Sequence, residues 1–286
     1  MLRVAVPNKG SLHGPATELL TDAGYRVQQG DRTALFVTDT ANGVQVVFLR
    51  PIDIARNIGA GVLDVGITGR DLVAATSTAA TELLPLGFGA SRFCFAAPPG
   101  SARSLADLHG KRIATSFASL VEKAAAHAGI DVVVVELDGA VETAVELGLA
   151  DAIADVVETG ASLHSAGLTT VGDVVLESEA ILVCGTNRIL SDDREHAVEI
   201  LVRRLRGVLI AREYMMIDYN CPTSVLPAAK ALTPGIEAPT IAPLDEDGWI
   251  AVRAMVRREQ AQSLMDQLWS VGARAILAMS VEASRL

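Results

Sequence analysis

The feature of this sequence that most constrains its fold is the alternation of short apolar segments with segments of helical periodicity. In the first part of the chain, strands and helices are predicted alternately at 2–7, 15–23, 44–49, 51–58 and 63–67. Further strands, with helices between them, are predicted at 91–97, 111–114 and 131–136. Such alternation is typical of mainly parallel sheets with helices on both faces. Two successive units of this kind predict a two-lobed α/β core with a ligand cleft between the lobes.

The remainder of the chain is predicted to return to the first lobe and then to change pattern. A strand at 179–184 and a helix at 192–211 make the first domain discontinuous, with residues 1–90 plus 179–211 flanking a second domain at 91–178. The order then becomes β-α-β-β-α-β, with segments at 214–219, 222–231, 239–243, 249–256, 260–271 and 275–281. This ferredoxin-like order predicts a third, α+β domain over residues 212–286.

Composition excludes several classes of protein. With 286 residues, 50% hydrophobic and 20% charged, the chain is predicted to be globular. Its mean hydropathy is +0.35, yet no uncharged stretch approaches the roughly 18 residues of a membrane span. The N-terminus, M-L-R-V-A-V-P-N-K-G, lacks the apolar core and cleavage site of a signal peptide. We therefore expect a cytoplasmic protein without membrane partners.

Charge and metal-ligand spacing narrow the class of ligand. The net charge of -10 argues against a nucleic-acid partner and requires anionic ligands to be met by local donors. The three cysteines are scattered without a C-x-x-C, and the five histidines form no H-x-x-x-H pair. We expect reduced thiols and no protein-built metal cage, so that a metal ion would arrive with the substrate.

The segment 136–163 carries most of the functional information. It predicts a helix, a short apolar strand with Asp151 and Asp155, and a turn of small residues, Thr159-Gly160-Ala161-Ser162, here called the phosphate loop. Backbone N–H groups and two hydroxyls in such a turn converge on an anion. With two carboxylates beside it, a phosphorylated sugar is the indicated ligand. Ordinary turn chemistry remains an alternative, and Asp151 can simply start the strand after Gly148.

Three further turns after predicted strands carry residues suited to anion binding. They contain Lys9 with Gly10, Arg50 before a proline-initiated helix, and Gly69 with Arg70 and Asp71. Each has a structural alternative, such as a solvated lysine or an arginine paired with a nearby carboxylate. The four turns together are hard to explain by packing alone.

The signature around the phosphate loop resembles that of a known family. Residues at the matching spacings are Glu142, Gly148, Ala150, Ile153, Asp155, Val156, Thr159, Gly160 and Leu163. They are similar to the phosphoribosyl-diphosphate (PRPP) signature of ATP phosphoribosyltransferase, the first enzyme of histidine biosynthesis, although Ser162 stands where that family usually has Thr. The likeness to the long form of the family also extends through P-N-K-G-S-L, F-L-R-P-I-D-I, L-D-V-G-I-T-G-R-D, R-I-A-T-S-F and A-P-T-I-A-P-L.

This resemblance implies a periplasmic-binding-protein-like core with an ACT-like tail, assembled as dimers to hexamers and inhibited by histidine. In the implied reaction, N1 of the ATP adenine attacks C1 of PRPP, and pyrophosphate leaves with Mg²⁺. The short form of the family lacks the tail and depends on a separate regulatory subunit.

The resemblance also assigns roles to the candidate residues. The phosphate loop, Thr159 to Ser162, would bind the 5′-phosphate. Asp155 and Asp151 would bind the ribose hydroxyls. Glu142 lies in the signature and would either act there or brace the helix. ATP and pyrophosphate would be met by Lys9, Gly10, Arg50, Gly69, Arg70 and Asp71. Histidine would be met by Asp218, Asn220, Thr240 and Ala275, although relatives carry Asp where Asn220 stands.

Two other functions remain open at this point. Prephenate dehydratase also joins a two-lobed core to an ACT domain, but its T-R-F and E-S-R-P motifs are not found in this sequence. A non-enzymatic solute- or effector-sensing module would need the fold without the phosphate loop. Binding of PRPP would favour the transferase, and turnover of prephenate would favour the dehydratase.

Overall fold

A computed structural model describes residues 1–28 and 35–285 of the chain. Its strands are β1 (Leu2–Pro7), β2 (Phe36–Asp39), β3 (Val44–Leu49), β4 (Val65–Gly69), β5 (Ala80–Pro85), β6 (Ser91–Ala97), β7 (Arg112–Thr115), β8 (Val133–Glu136), β9 (Ala152–Val157), β10 (Thr169–Ser178), β11 (Ala180–Gly185), β12 (Tyr214–Pro222), β13 (Thr240–Pro243), β14 (Trp249–Arg257) and β15 (Arg274–Ser280). Its α-helices are α1 (His13–Asp22), α2 (Pro51–Gly59), α3 (Arg70–Ala75), α4 (Ala118–Ala128), α5 (Ala161–Ser165), α6 (Asp192–Glu213), α7 (Leu226–Leu232) and α8 (Ala261–Ser270).

The first sheet has the order β2-β3-β1-β4-β11-β5. Strand β1 lies parallel to β3 and β4, whereas β2, β11 and β5 pair antiparallel with their neighbours. The prediction of a mainly parallel sheet is therefore wrong. Strands β2 and β3 form a hairpin, and β11 runs against β4 after the chain's excursion through the second sheet. Short, partly exposed β2 and charge-containing β5 lack the apolar runs that predicted the other strands.

The second sheet has the order β10-β6-β9-β7-β8 and is also mixed. Strands β8 and β9 lie parallel to β7, and β6 pairs antiparallel with β9 and β10. Phe93 and Phe95 are fully buried on β6 and form the centre of one core face. Strand β10 was not predicted, because Gly172, Asp173 and a register shift between Val171 and Leu176 interrupt its alternation.

Strand β11 joins β4 and β5 of the first sheet, so the chain returns from the second sheet to the first. Contacts group the described residues into two compact units, Met1–Glu18 with Tyr25–Val198 and Leu19–Gly24 with the residues from Glu199 onward. Both mixed sheets belong to the first unit. The two-lobed α/β class is confirmed, and the three domain boundaries stay a prediction.

The C-terminal sheet is antiparallel throughout, in the order β13-β14-β12-β15. This is the strand order of the predicted ferredoxin-like domain. Ile217, Tyr219 and Cys221 alternate along β12 into a core shared with Val252 and Leu268. The side chains between them, including Asp218 and Asn220, therefore lie on the opposite face of the sheet.

The predicted helix after Glu136 is not formed. Residues 141–143 make a single 3₁₀ turn, preceded by left-handed Gly139 and Ala140 with φ of 91° and 50°. Val141, Ala144 and Ala150 nevertheless bury against the second sheet, which explains the apolar pattern that predicted a helix. Asp151 precedes β9 rather than lying in it.

No helix among the described residues combines the length and the apolar character needed to cross a membrane.

Gly207 of helix α6 allows the packing of the C-terminal residues on this helix to be tested. The Ser284 hydroxyl donates to the Gly207 carbonyl (3.0 Å), and a Cβ at Gly207 would lie 2.1 Å from the Ser284 carbonyl oxygen. Gly207→Ala is expected to lower the free energy of unfolding by about 1–3 kcal/mol, measured by urea denaturation.

Gly14 in α1 provides the matched control, because a Cβ there would meet nothing within 4 Å. Gly14→Ala is expected to be neutral or to stabilise by up to about 1 kcal/mol, as alanine normally does in helices. Equal stabilisation by the two variants would contradict the packing of the C-terminal residues on α6.

Candidate active site

Strand β9 presents Asp155 to a cavity of about 240 Å³ at the C-terminal end of the strand. The cavity is lined by Glu142, Asp155, Val156, Val157, Glu158, Thr159, Gly160, Ser162 and Leu163. Asp155 is half-buried, lies opposite Cys94 of β6, and accepts the Val156 N–H at 2.7 Å. The structure therefore brings the predicted Asp155, Glu142 and phosphate loop together around one cavity.

The phosphate loop connects β9 to α5 through a left-handed glycine. Gly160 has φ of 82°, and the Thr159 hydroxyl accepts the Ala161 N–H at 3.4 Å. Within the described chain, the N–H groups of Gly160, Ser162 and Leu163 donate to no protein acceptor. Thr159, Ala161 and Ser162 are exposed, so their donors are accessible to an anionic ligand.

Asp155 carries the altered ionisation at this site. Burial raises its pKa to about 6, the Val156 N–H opposes this rise, and the Glu142 and Asp71 carboxylates add to it. These carboxylates come from different places, since Asp71 belongs to α3 beside the first sheet. A ligand that offers hydroxyl donors or a bound cation would relieve their repulsion.

Asp151 does not join this group. It precedes β9, at the end of the strand remote from the phosphate loop, and the Arg112 guanidinium donates to it at 2.9 Å. The side-chain and backbone hydrogen bonds from Arg112 lower the pKa of Asp151 to about 2. The alternative in which Asp151 starts the strand agrees with this arrangement.

The turn after β1 reaches the same cavity from the first sheet. The Ser11 hydroxyl donates to Glu158 Oε1 at 3.2 Å, and Glu158 lines the cavity beside Asp155. Lys9 and Gly10 lie in this turn, where Gly10 has φ of 81°. Lys9 is exposed, and no described residue accepts a hydrogen bond from its ammonium. The turn therefore carries a cation that is available to a ligand phosphate.

The two predicted arginines have protein partners. Arg50 pairs with Asp53 of α2, with Nε to Oδ2 at 2.6 Å, and its pKa is raised chiefly by that carboxylate. Arg70 pairs with Glu82 at 2.9 Å and Glu179 at 3.2 Å, which hold its pKa above the usual value. The alternative of an arginine paired with a nearby carboxylate therefore describes Arg50 in this structure, and Arg70 belongs to an ion-pair network.

Gly69 and Asp71 complete that turn. The Ser178 hydroxyl donates to Asp71 Oδ1 at 2.7 Å, and the Asp71 N–H donates to Ser178 Oγ at 3.0 Å, with both residues buried. A Cβ at Gly69 would lie 2.2 Å from Asp71 Oδ1. Glycine at 69 thus makes room for the carboxylate that faces β10.

In the C-terminal sheet, Asp218 and Thr240 flank the same arginine. Arg253 Nη2 donates to Asp218 Oδ2 at 2.7 Å, and Thr240 lies opposite Arg253 on β13. Asn220 pairs with Arg274 at a register shift on β15, and Ala275 follows it with φ of 49°. The structure thus places Asp218 and Asn220 on one open face, with Thr240 in register beside them.

Among the described residues, no group of three or more His, Cys, Asp or Glu side chains is placed to hold a metal ion.

Sequence analysis missed four residues that shape this site: Ser11, Glu158, Ser178 and Glu179. Ser11 lies within P-N-K-G-S-L and Glu158 lies directly before the phosphate loop, and this proximity to the motifs is the signal that could have found them. Ser178 and Glu179 become visible only when β10 is recognised as a strand.

Comparison with known families identifies the chain. The model of the family described as ATP phosphoribosyltransferase matches residues 50–207, and a model described as HisG, C-terminal domain, matches residues 211–283. The chain belongs to the ATP phosphoribosyltransferase family. It is therefore a phosphoribosyltransferase enzyme, as the signature around the phosphate loop predicted.

Full-length relatives carry the same name. ATP phosphoribosyltransferase of Streptomyces avermitilis is 51% identical over 286 residues, and that of Salinispora tropica is 50% identical, each covering 100% of both chains. A solved chain of the ATP phosphoribosyl transferase (HisG:HisZ) complex from Thermotoga maritima has a TM-score of 0.62 and 26% identity. The match covers 72% of this chain and 97% of that chain. The predicted family and fold class are confirmed.

The elevated pKa of Asp155 predicts a conflict between stability and function. Because the folded-state pKa of about 6 exceeds the ordinary 3.8, ionisation destabilises the fold fully above pH 6, and the penalty disappears as pH falls toward 3.8. Asp155→Asn is expected to raise the free energy of unfolding at about pH 7.5 by about 2 kcal/mol.

Denaturation of wild type and variant across pH checks this expectation, with exposed Asp173→Asn as the control in the same lobe. The gain from Asp155→Asn is expected to shrink steadily below pH 6, whereas the control gains nothing at any pH. A gain independent of pH would contradict the electrostatic origin.

Proposed function

We propose that this enzyme joins N1 of the ATP adenine to C1 of PRPP, releasing pyrophosphate and forming phosphoribosyl-ATP in the first step of histidine biosynthesis. The observation that carries the proposal is the cavity in which unpaired backbone donors of the phosphate loop lie beside the Asp155 carboxylate. Donors suit a phosphate, and a carboxylate suits sugar hydroxyls. One cavity with both matches the two ends of a ribose 5-phosphate.

The phosphate loop would bind the 5′-phosphate of PRPP. Its N–H groups at Gly160, Ser162 and Leu163 have no acceptor among the described residues, and the Thr159 and Ser162 hydroxyls add two donors. Gly160 is left-handed and carries no side chain, so no side chain at this position would obstruct the approach of a phosphate to the loop backbone. Charged hydrogen bonds of this kind supply binding energy and fix the orientation of the sugar.

Asp155 would accept hydrogen bonds from the ribose hydroxyls, with Glu142 beside it in the cavity. Displacement at C1 builds positive charge on the ribose ring and negative charge on the leaving pyrophosphate. The Asp155 carboxylate would stabilise the positive charge on the ribose ring. Catalysis would therefore depend on substrate positioning and electrostatics, without a covalent nucleophile. Asp151 is not assigned to the ribose in this proposal, because it pairs with Arg112.

Lys9 would meet the pyrophosphate or the ATP phosphates, with the backbone of Gly10. It is the predicted cation that has no acceptor among the described residues, whereas Arg50 and Arg70 are paired with carboxylates. The Ser11 contact with Glu158 places the Lys9 turn close to the phosphate loop. Arg50 would contribute only by exchanging Asp53 for a phosphate.

Mg²⁺ fits this site as an ion that arrives with the substrate. Asp155 and Glu142 offer carboxylate oxygens, and a cation would relieve the carboxylate repulsion that adds to the effect of burial on the pKa of Asp155. One or two carboxylates plus substrate phosphates are the usual environment of Mg²⁺ in proteins. The ion would neutralise the negative charge that develops on the leaving pyrophosphate.

The C-terminal domain would bind histidine as a feedback inhibitor, and the enzyme would act in the cytoplasm as a homo-oligomer of dimers to hexamers. Support for the inhibitor site comes from the polar groups Asp218, Asn220 and Thr240 on one open sheet face. Support for a reducing compartment comes from the three buried, unpaired cysteines.

A spectrophotometric assay of ATP with PRPP and Mg²⁺, with and without histidine, tests the proposed reaction. Product formation that depends on both substrates is expected, and prephenate is expected to be left unchanged. Turnover of prephenate would favour the dehydratase. PRPP that gives no heat of binding in calorimetry would favour the sensing module.

Gly160→Ala tests the position of the 5′-phosphate. At φ of 82°, alanine strains the loop, and its methyl group enters the space of the ligand although no protein atom lies closer than 4.0 Å. We expect PRPP binding to weaken by about tenfold or more, the value of one charged hydrogen bond, and ATP binding to change by less than about twofold. Isothermal titration measures both.

Gly129→Ala is the matched control, because Gly129 is also left-handed, with φ of 67° and nothing within 4 Å of a Cβ. Both variants should lose similar stability, but only Gly160→Ala should lose affinity for PRPP. Equal PRPP affinities in the two variants would show that the 5′-phosphate does not bind at the phosphate loop.

Asn220→Asp tests the histidine site. A carboxylate at 220 can pair with the inhibitor's ammonium, and charged hydrogen bonds are roughly twice as strong as neutral ones. Since Arg253 already engages Asp218, a free carboxylate at 220 is expected to lower the histidine concentration for half-inhibition. Inhibition curves of Asn220→Asp, Asp218→Asn and wild type that coincide would exclude both residues from the site.

A further inference from the structure

The two mixed sheets are joined at two chain crossings, and one of them is a single residue. The first crossing, residues 86–90, lies between β5 of the first sheet and β6 of the second. The second crossing consists of Glu179 alone, between β10 of the second sheet and β11 of the first. Rotation of one sheet relative to the other must therefore change backbone angles near these residues.

The Glu179 side chain connects both crossings to the first sheet. Its Oε1 accepts from Arg70 Nη2 at 3.2 Å, and its Oε2 accepts the Gly87 N–H at 2.9 Å. The Arg70 N–H also donates to the Glu179 carbonyl at 3.0 Å. Arg70 is held in turn by Glu82 of β5, through bonds of 2.9 and 3.0 Å. One carboxylate thus ties together the turn before α3 and the two crossings.

The same turn extends this contact to the cavity. Asp71 follows Arg70 and shares two buried hydrogen bonds with Ser178, and its charge adds to the effect of burial that raises the pKa of Asp155. Helix α3 then contacts α4 beside the second sheet, where the Ser119 hydroxyl donates to the Ala75 carbonyl at 2.5 Å. A chain of contacts through α3 therefore connects Glu179 to α4 beside the second sheet.

We propose that Glu179 is a positioning residue, a bridge between the two crossings that holds the sheets at the angle where the first-sheet turns face the phosphate loop. It touches no substrate. Glu179 increases the fraction of molecules in which the Lys9 turn and the phosphate loop are close enough to bind the same PRPP molecule. This inference rests on the proposed function. Arg70 accordingly serves the bridge rather than a phosphate.

Glu179→Gln tests the bridge, because it keeps the shape of the side chain and removes its charge and one acceptor. The KM for PRPP is expected to rise about tenfold with kcat within about twofold of wild type, since fewer molecules hold the binding-competent angle. Glu179→Asp, which keeps the charge but shortens the reach, should act in the same direction. It also serves if the glutamine variant does not fold.

Two glutamates provide matched controls. Glu177→Gln removes an exposed carboxylate from β10 two residues away, and Glu82→Gln removes the Arg70 partner that lies within the first sheet. Both are expected to keep the wild-type KM for PRPP. An equal rise in Glu82→Gln would assign the effect to Arg70 and overturn the role of Glu179.

A distance measurement tests the bridge independently of catalysis. Spin labels at Arg56→Cys on α2 and Glu122→Cys on α4 report the separation of the lobes, and the native cysteines are buried. The distance distribution is expected to broaden in Glu179→Gln and to stay narrow in Glu177→Gln. An unchanged distribution, or an unchanged KM for PRPP, would overturn the proposal. Absence of wild-type turnover would instead count against the proposed function, and the distances would still decide on the bridge.

Discussion

The antiparallel pairing of β11 with β4 is the constraint on which the first unit depends. Without it, the chain would leave the first sheet after β5 and never return. Because β11 enters between β4 and β5, residues 178 and 179 lie directly against the turn that starts α3. Arg70 is thereby placed beside Glu179, and Asp71 is placed beside Ser178. The charge of Asp71 adds to the effect of burial on the pKa of Asp155, so the electrostatics of the cavity depend in part on a strand pairing far from it in sequence.

A net charge of -10 means that the proposed phosphorylated substrates must be recognised against the overall charge of the protein. Long-range attraction is absent, so recognition depends on short-range donors. In the proposed site, the phosphate loop would supply backbone N–H groups. These donors are uncharged, so burying them does not require the desolvation of a full charge. In the proposed site, the carboxylates of Asp155 and Glu142 would then favour a ligand that brings hydroxyl groups or a cation together with its phosphates.

The sequence predicted most strands and helices because apolar periodicity determines which face each element buries. Strands β1, β3 and β6 begin and end at the predicted residues. Strand β10 was missed because its register shift breaks the alternation, and the helix after Glu136 was wrong because burial of Val141 and Ala144 does not require helical geometry. Local patterns carry no information about antiparallel return, so the mixed pairing of the sheets was not predicted.

The same limit explains the difference between the phosphate loop and the arginines. The loop's donors belong to contiguous residues, so its shape follows from local sequence, and Gly160 marks the left-handed position. The fate of a guanidinium depends on carboxylates that approach from elsewhere. Asp53 is three residues from Arg50 and was foreseeable, but Glu179 reaches Arg70 from 109 positions away. Under the proposed bridge, a charged residue in a family motif, such as Arg70, would serve the geometry of the cleft without contacting the substrate that the motif predicts.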